Sequence, residues 1–376
     1  MRWMSPLPFL LALAGLSETS RIGAAAKRTE RGAVAVTVGL LITVLAGFAA
    51  IAVDLGASYH QRSQMQNAAD AGALAVALDC SAGTCSNGNA TAQSMANMNV
   101  PQDTTSAYLQ SPISASSTSA TVQVEGFRDT WFAPILGVDS TRIATKATAI
   151  WGPPTQGTLK VPWAVTWCDW NYFVNQSGST NNYTATTKPY IYSAAANKPN
   201  NGTSAGFPGG HTCNGTYNGV TQTKQGFSWL NVELNSSGAV TSSSSCINYF
   251  TKVGDAQSVN DMNFYANPPS STGCTSTWLR NNLIGKTIFI PVLAQTSPSA
   301  SDPRWKIVGY AAWQITGWNF PGLDSYNVTY NGVSADTSKP FIQGNFRKAT
   351  TSTSDFEPNP STPGGSFGAT SVALVS

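Results

Sequence analysis

Residues 32–53, GAVAVTVGLLITVLAGFAAIAV, run for 22 positions without a charged side chain. At about 1.5 Å of rise per residue such a helix is roughly 33 Å long, enough to cross a bilayer core of roughly 30 Å. Asp54 ends the run sharply. An alanine-rich pattern follows, with no proline or turn cluster to break it. These residues predict one long helix, half in lipid and half outside it, which makes this an anchored chain. What is anchored, and on which side, is then the next question.

The flanks answer the second part. Arg21, Lys27, Arg28 and Arg31 precede the run, whereas Arg62 is the only Lys or Arg in the thirty residues after it. Basic residues favour the cytoplasmic side, and long domains translocate largely regardless of charge. The N-terminus is therefore expected inside and everything after Asp54 outside.

Composition fits an exported domain and excludes other classes. Charged residues make up 10% of the chain, against about 25% in an average soluble protein, so Ser, Thr, Asn, Gln and Gly must supply the polar surface. A hydrophobic content of 41% excludes a disordered chain. A net charge of +3, with no basic stripe beyond the pre-membrane segment, gives no nucleic-acid signature.

All six cysteines, Cys80, Cys85, Cys168, Cys213, Cys246 and Cys274, follow the span. An even count on the outer side predicts disulfides. Cys80 and Cys85 are close enough to close a small loop at the helix end; the other four allow three pairings. No CxxC occurs, and His60 and His211 are the only histidines, so no metal site is expected.

Ahead of the span, residues 6–16 are apolar but too short to cross a bilayer. They have the look of a signal-peptide core, with Ala24, Ala25 and Ala26 as a small-residue cleavage site. Only Arg2 supplies a basic start, and cleavage there would leave an outside N-terminus directly before a basic-flanked span. Residues 1–31 are therefore read as a cytoplasmic tail or an over-extended start.

The expected organisation is a tail over 1–31, a transmembrane helix over 32–53 and a helix extension over 54–79. A small α+β region over 80–152 and a β-rich extracytoplasmic domain over 155–376 follow. Gly83 and Gly88, in a Ser/Asn-rich stretch, end the helix. Ala120, Val122 and Val124 alternate with polar residues as in a half-buried strand, and residues 143–151 form a second. Gly152-Pro153-Pro154 is a break. Residues 175–224 show little periodicity. TIFIPVL at 287–293 reads as a buried strand. The long strand 305–318 would place Trp305, Ile307, Ala311, Trp313 and Ile315 on one face. Late strands are expected at 341–346 and 371–375. The fold class is α+β: a long membrane-spanning helix, then a mostly β, loop-rich region.

RGAVAV at 31–36 and FAAIAVDLGASYHQRSQMQNAADAGALAVA at 48–77 resemble the Tad (tight adherence) family of Flp pilus-assembly proteins, the TadE/TadG-like group. The recurring positions are Gly32, Asp54, Leu55, Gly56, Tyr59, Arg62, Gln66, Ala68, Ala69 and Asp70. WFAPILGVDSTRIATKATAIWG at 131–152 and IVGYAAWQITGW at 307–318 are similar to actinobacterial members with large extracytoplasmic domains. The resemblance implies a single-pass protein of the bacterial cell membrane that works with pilus-assembly or pilin-like membrane proteins. One departure matters. Pilin-type processing after Gly32 would usually find Glu at the fifth following residue, where Thr37 stands. A lone carboxylate in lipid needs a partner, and its absence favours an anchored accessory protein over a packed filament subunit.

Other motifs lead nowhere specific. DLGAS at 54–58 is similar to the DxSxS metal motif of von Willebrand A domains, but Gly56 replaces its middle serine and it sits at a membrane exit. GKT at 285–287 would need glycine at Arg280 to make a phosphate loop. No GxSxG accompanies His211, and no HExxH occurs. No carboxylate pair for glycoside hydrolysis stands out. Eleven tryptophans could stack on sugars; the plainer reading has Trp163, Trp167, Trp305 and Trp313 filling a β-rich core. The sequence thus predicts a non-catalytic assembly component in the lipid bilayer, with no cofactor and no nucleic acid. The alternatives are an anchored cell-wall hydrolase or an adhesin that binds a surface glycan.

Overall fold

Residue 27 opens a single uninterrupted helix, α1 (Lys27–Ser81), as the absence of any breaker predicts. The computed structural model describes residues 27–100, 105–114, 117–175, 190–192, 215–222, 225–230, 233–234, 240–241, 249–254, 256–257, 274–296, 305–330, 333–351, 355–358 and 367–375. Residues 1–26, most of 175–224, His211, Cys213 and Cys246 lie outside the described residues.

After α1 come α2 (Gly88–Asn99), β1 (Thr105–Leu109), β2 (Ser119–Asp129), β3 (Ser140–Gly152), β4 (Pro154–Leu159), β5 (Trp163–Thr166) and α3 (Trp167–Asn175). They are followed by β6 (Tyr190–Tyr192), β7 (Phe227–Trp229), β8 (Tyr249–Lys252), α4 (Ser276–Leu283), β9 (Thr287–Gln295) and β10 (Trp305–Phe320). Last come β11 (Asp324–Tyr326), β12 (Phe341–Arg347), β13 (Ala349–Thr351), β14 (Phe356–Pro358) and β15 (Ala369–Val375). The architecture is α+β and mostly β beyond the first helix.

Two compact units divide the chain. One holds the described residues up to Tyr59 and the segment Asp129–Thr141; the other holds His60–Arg128 and everything from Arg142.

In the second unit, the later part of α1 covers a five-stranded sheet of order β1-β2-β3-β15-β13. Ala68, Ala69, Ala73 and Ala77 are fully buried against Val122 and Val124 of β2, Ala149 of β3 and Val372 of β15. Small side chains let the helix backbone approach the sheet. A Cβ on Gly72 would lie 3.2 Å from the Val122 side chain. Ala92 and Ala96 of α2 complete this core. The structure also revises the end of the first helix. Gly83, at φ +86°, lies just beyond it, while Gly88 opens α2 rather than belonging to a loop.

The larger core lies on an eight-stranded sheet with the path β6-β12-β10-β9-β5-β7; β11 and the pair Ala256–Gln257 also join β10. A three-stranded sheet has the order β8-β4-β14. β10 corrects the single-face expectation. Its register against β9 slips between Val292 and Leu293, opposite Val308 and Gly309. A bulge of this kind inverts which side chains face which way. Trp305 and Ile307 consequently pack with Tyr310 and Ala312, whereas Ala311, Trp313 and Ile315 enter the other core.

Candidate functional site

The apolar part of α1 is exposed along its length: Leu40 is 66%, Leu45 64% and Phe48 67% accessible. A helix that is hydrophobic all round belongs inside a protein or inside lipid. These values exclude the first of the two for this chain as it stands, so α1 is a candidate transmembrane helix.

Asp54 closes that run, and its carboxylate is occupied. Oδ1 accepts from the backbone N–H of Trp131 at 2.9 Å. Oδ2 accepts from Phe132 at 2.9 Å and from Ala133 at 2.8 Å. These donors open the 3-10 turn Ala133–Leu136, and a turn start leaves such N–H groups without backbone acceptors. An acidic group there is favourable twice over, by hydrogen bonding and by the local dipole. The loop is also tied at its base, where the Thr130 N–H donates to the Asp139 carbonyl at 3.1 Å. Gly137, at φ +84°, makes the left-handed exit from the turn that a branched side chain would resist.

Further along α1, Arg62, Gln66 and Asp70 recur at intervals of four and share one helix face. Gln66 Nε2 donates to Asp70 Oδ1 at 2.9 Å and to the Lys146 carbonyl of β3 at 3.3 Å. Arg62 and Gln66 line an open cleft of about 320 Å³ with Gln123, Ala144, Thr145 and Lys146. Ala69 is wholly buried on the sheet side. The polar pattern after the span therefore separates into two tasks: Asp54 ties down a loop, and the Arg62–Gln66–Asp70 face meets the edge of β3. Tyr59, 79% exposed, makes no such tie, and Gly32 and Gly56 face open space.

Residues 32–79 match the Tad family model, described as Flp pilus-assembly TadE/G-like. This stretch is similar to the TadE/G-like group over its whole matched length. No curated protein and no solved structure matches the chain. The match thus covers the candidate span, Asp54 and the polar face, and stops before the β-rich remainder.

Beyond the matched stretch, the remaining candidate residues find structural places. Cys80 and Cys85 form a disulfide just past the family match. Cys168 and Cys274 are each disulfide-bonded as well. Among the described tryptophans, Trp151, Trp163, Trp170, Trp229, Trp305, Trp313 and Trp318 are buried, and Trp163 meets Trp229 edge-on at 5.6 Å. Trp167 is only partly buried, packed on Tyr217. Trp131 is the exposed tryptophan of the described set, at 68%. No group of three metal-type ligands occurs among the described residues.

Sequence reasoning missed two carboxylates. Asp169 is buried at the start of α3, accepting from the Thr166 hydroxyl and the Gly226 N–H, and so fixes the approach to β7. Asp324 accepts from Arg280 through both Nε (3.1 Å) and Nη2 (2.8 Å) and from Trp318 Nε1 at 3.1 Å. Burial pushes the Asp324 carboxyl up, but the bonds from Arg280, Trp318 and Ser276 outweigh it and hold it below the usual carboxylate range. Neither residue sits in a motif, and the partners that fix them, Gly226 for Asp169 and Arg280 for Asp324, lie 57 and 44 residues away. The apolar content of 131–138, between two alternating strands, is the signal that could have marked the loop.

Proposed function

We propose that this chain is a non-catalytic, membrane-anchored assembly component of a Tad-type (Flp) pilus or secretion apparatus, with its N-terminus cytoplasmic and its β-rich part extracytoplasmic. The family match over 32–79 supports a pilus-related role. The carrying observation is the exposure of the apolar half of α1 on every side. Side chains at Gly39 and Gly47 would meet nothing within 4 Å, so both glycines present bare backbone to lipid or to another helix. Thr43, between them, returns its hydroxyl to the Gly39 carbonyl at 2.9 Å and leaves no polar group unsatisfied in lipid. Small residues of this kind permit close helix–helix approach in membranes. The partners are other pilus-assembly or pilin-like membrane proteins.

Gly39→Leu and Gly47→Leu test this reading. Each should lower co-purification with membrane partners several-fold while leaving carbonate-resistant insertion intact. Unchanged co-purification would remove the helix as the assembly element. Mass spectrometry of the extracted chain should also find the Arg31–Gly32 segment intact; a start at Ala33 would instead indicate pilin-like processing. The glycan-binding alternative draws no support from the buried tryptophans.

A further inference from the structure

The loop joining β2 to β3 carries WFAPILGV at 131–138, eight residues without a charge. Trp131, Phe132, Ile135 and Val138 are 68%, 43%, 85% and 46% exposed. Charges resume at once on either side, with Arg128 and Asp129 before and Asp139 and Arg142 after. A cluster of large apolar side chains on a short polar-rimmed loop marks a contact surface. What it contacts follows from where it is tied. The three backbone N–H groups at its head bind Asp54, the first residue beyond the uncharged run. Loop and span belong to one compact unit. The loop is thereby held at the depth where a membrane-spanning α1 leaves the hydrocarbon.

We propose that this loop is a second membrane contact: Asp54 pins it at the bilayer surface, and Trp131, Phe132 and Ile135 insert among the lipid headgroups of the leaflet at that end of the span. Tryptophan concentrates at this level of a bilayer, where its ring is solvated by acyl chain and its N–H by headgroup. Apolar faces of interfacial segments sit about 5–10 Å into the boundary region. The Asp54 bonds serve a further purpose here, because N–H groups brought toward lipid without an acceptor would resist insertion. The inference rests on residues 32–53 spanning a membrane, so its test reads the anchor and the loop separately.

The full chain carrying Ile135→Cys, nitroxide-labelled, would be reconstituted in phosphatidylcholine–phosphatidylglycerol vesicles. The same label at the exposed Met98 (Met98→Cys) serves as the aqueous reference. Resistance to carbonate extraction reports the span; collision with oxygen against a water-soluble nickel complex reports loop depth. The expected result is an oxygen-rich, nickel-protected label at 135 and a nickel-accessible one at 98. Adding Asp54→Ala should move the 135 label toward the aqueous value while carbonate resistance stays unchanged. Equal nickel accessibility at 135 and 98 in a carbonate-resistant chain would overturn the loop and spare the span. Exclusion of both reagents at 135 would overturn it in favour of a protein partner. Extraction by carbonate would overturn the span, and the loop with it.

Discussion

A carboxylate one residue beyond a candidate membrane span can be satisfied by water, by headgroups or by the protein itself, and Asp54 takes the last course. Its two oxygens meet three successive N–H groups of residues 131–133. Hydrogen bonds to an ionised group contribute about 1.5–3 kcal/mol each, and shared acceptors bring the set to less than the sum. Asp54→Ala should accordingly lower the local opening energy of the loop by about 2 kcal/mol, near 30-fold in amide exchange at 132 and 133. Asp54→Asn keeps acceptor oxygen but loses the charge, so its effect should be smaller. Hydrogen exchange in detergent checks both; unchanged exchange in the alanine variant would show that the turn stands without Asp54. Asp54 was legible in the sequence as the residue that ends the uncharged run. Its partners were not, because they lie 77 to 79 residues away and use backbone groups that no motif encodes.

At the scale of elements, two packing arrangements carry predictions. The alanine face of α1 works by closeness. Ala69→Leu would force a branched side chain between helix and sheet, and overpacking of this kind costs about 1–3 kcal/mol. Thermal melting in detergent should fall, while the exposed Asn67→Leu should leave it nearly unchanged. On β12, a side chain at Gly344 would collide with the Gln314 carbonyl and the Trp313 ring, so Gly344→Ala should destabilise more than a surface change. A third prediction, on acid stability, joins α4 to β11. The Asp324 carboxyl is held below its ordinary range in the folded chain, so the unfolded chain binds its proton more readily. Its stabilisation is full above the ordinary carboxylate pKa of about 4 and is lost as pH falls further. Melting temperature should decline below about pH 4 in the parent and less steeply in Asp324→Asn; parallel curves would remove Asp324 from the acid response. The elements themselves were largely legible. Alternation at 120–124, the buried run at 287–293 and the alanine run after Asp54 each produced the element they predict. The faces of β10 were not read correctly, because the bulge opposite Val292 and Leu293 inverts the alternation; its one local sign is Gly309, a glycine inside a strand pattern.

For the molecule as a whole, long-range closure decides stability in the second unit. β15 pairs with β3 from Ser371↔Gly152 to Val375↔Thr148, inserting the last described strand into a sheet begun more than two hundred residues earlier. Val372 enters the core beneath α1. Just before that strand, Phe367 stacks edge-on with Trp170 at 4.7 Å and its carbonyl accepts from Trp170 Nε1 at 3.2 Å. A single short segment thus serves both the alanine-rich core beneath α1 and the tryptophan-rich core. Such closure is invisible to periodicity, since the sequence shows a strand at 371–375 but not its neighbour. Removing residues 367–376 should therefore lower the stability of both cores together. Phe367→Ala alone should cost about 3–5 kcal/mol, the usual penalty for emptying a buried aromatic site. Val372→Ala should cost less, in proportion to its smaller side chain. Limited proteolysis distinguishes the outcomes: if the truncated chain still protects α1 through residue 81 as the parent does, the core beneath α1 stands without the last strand.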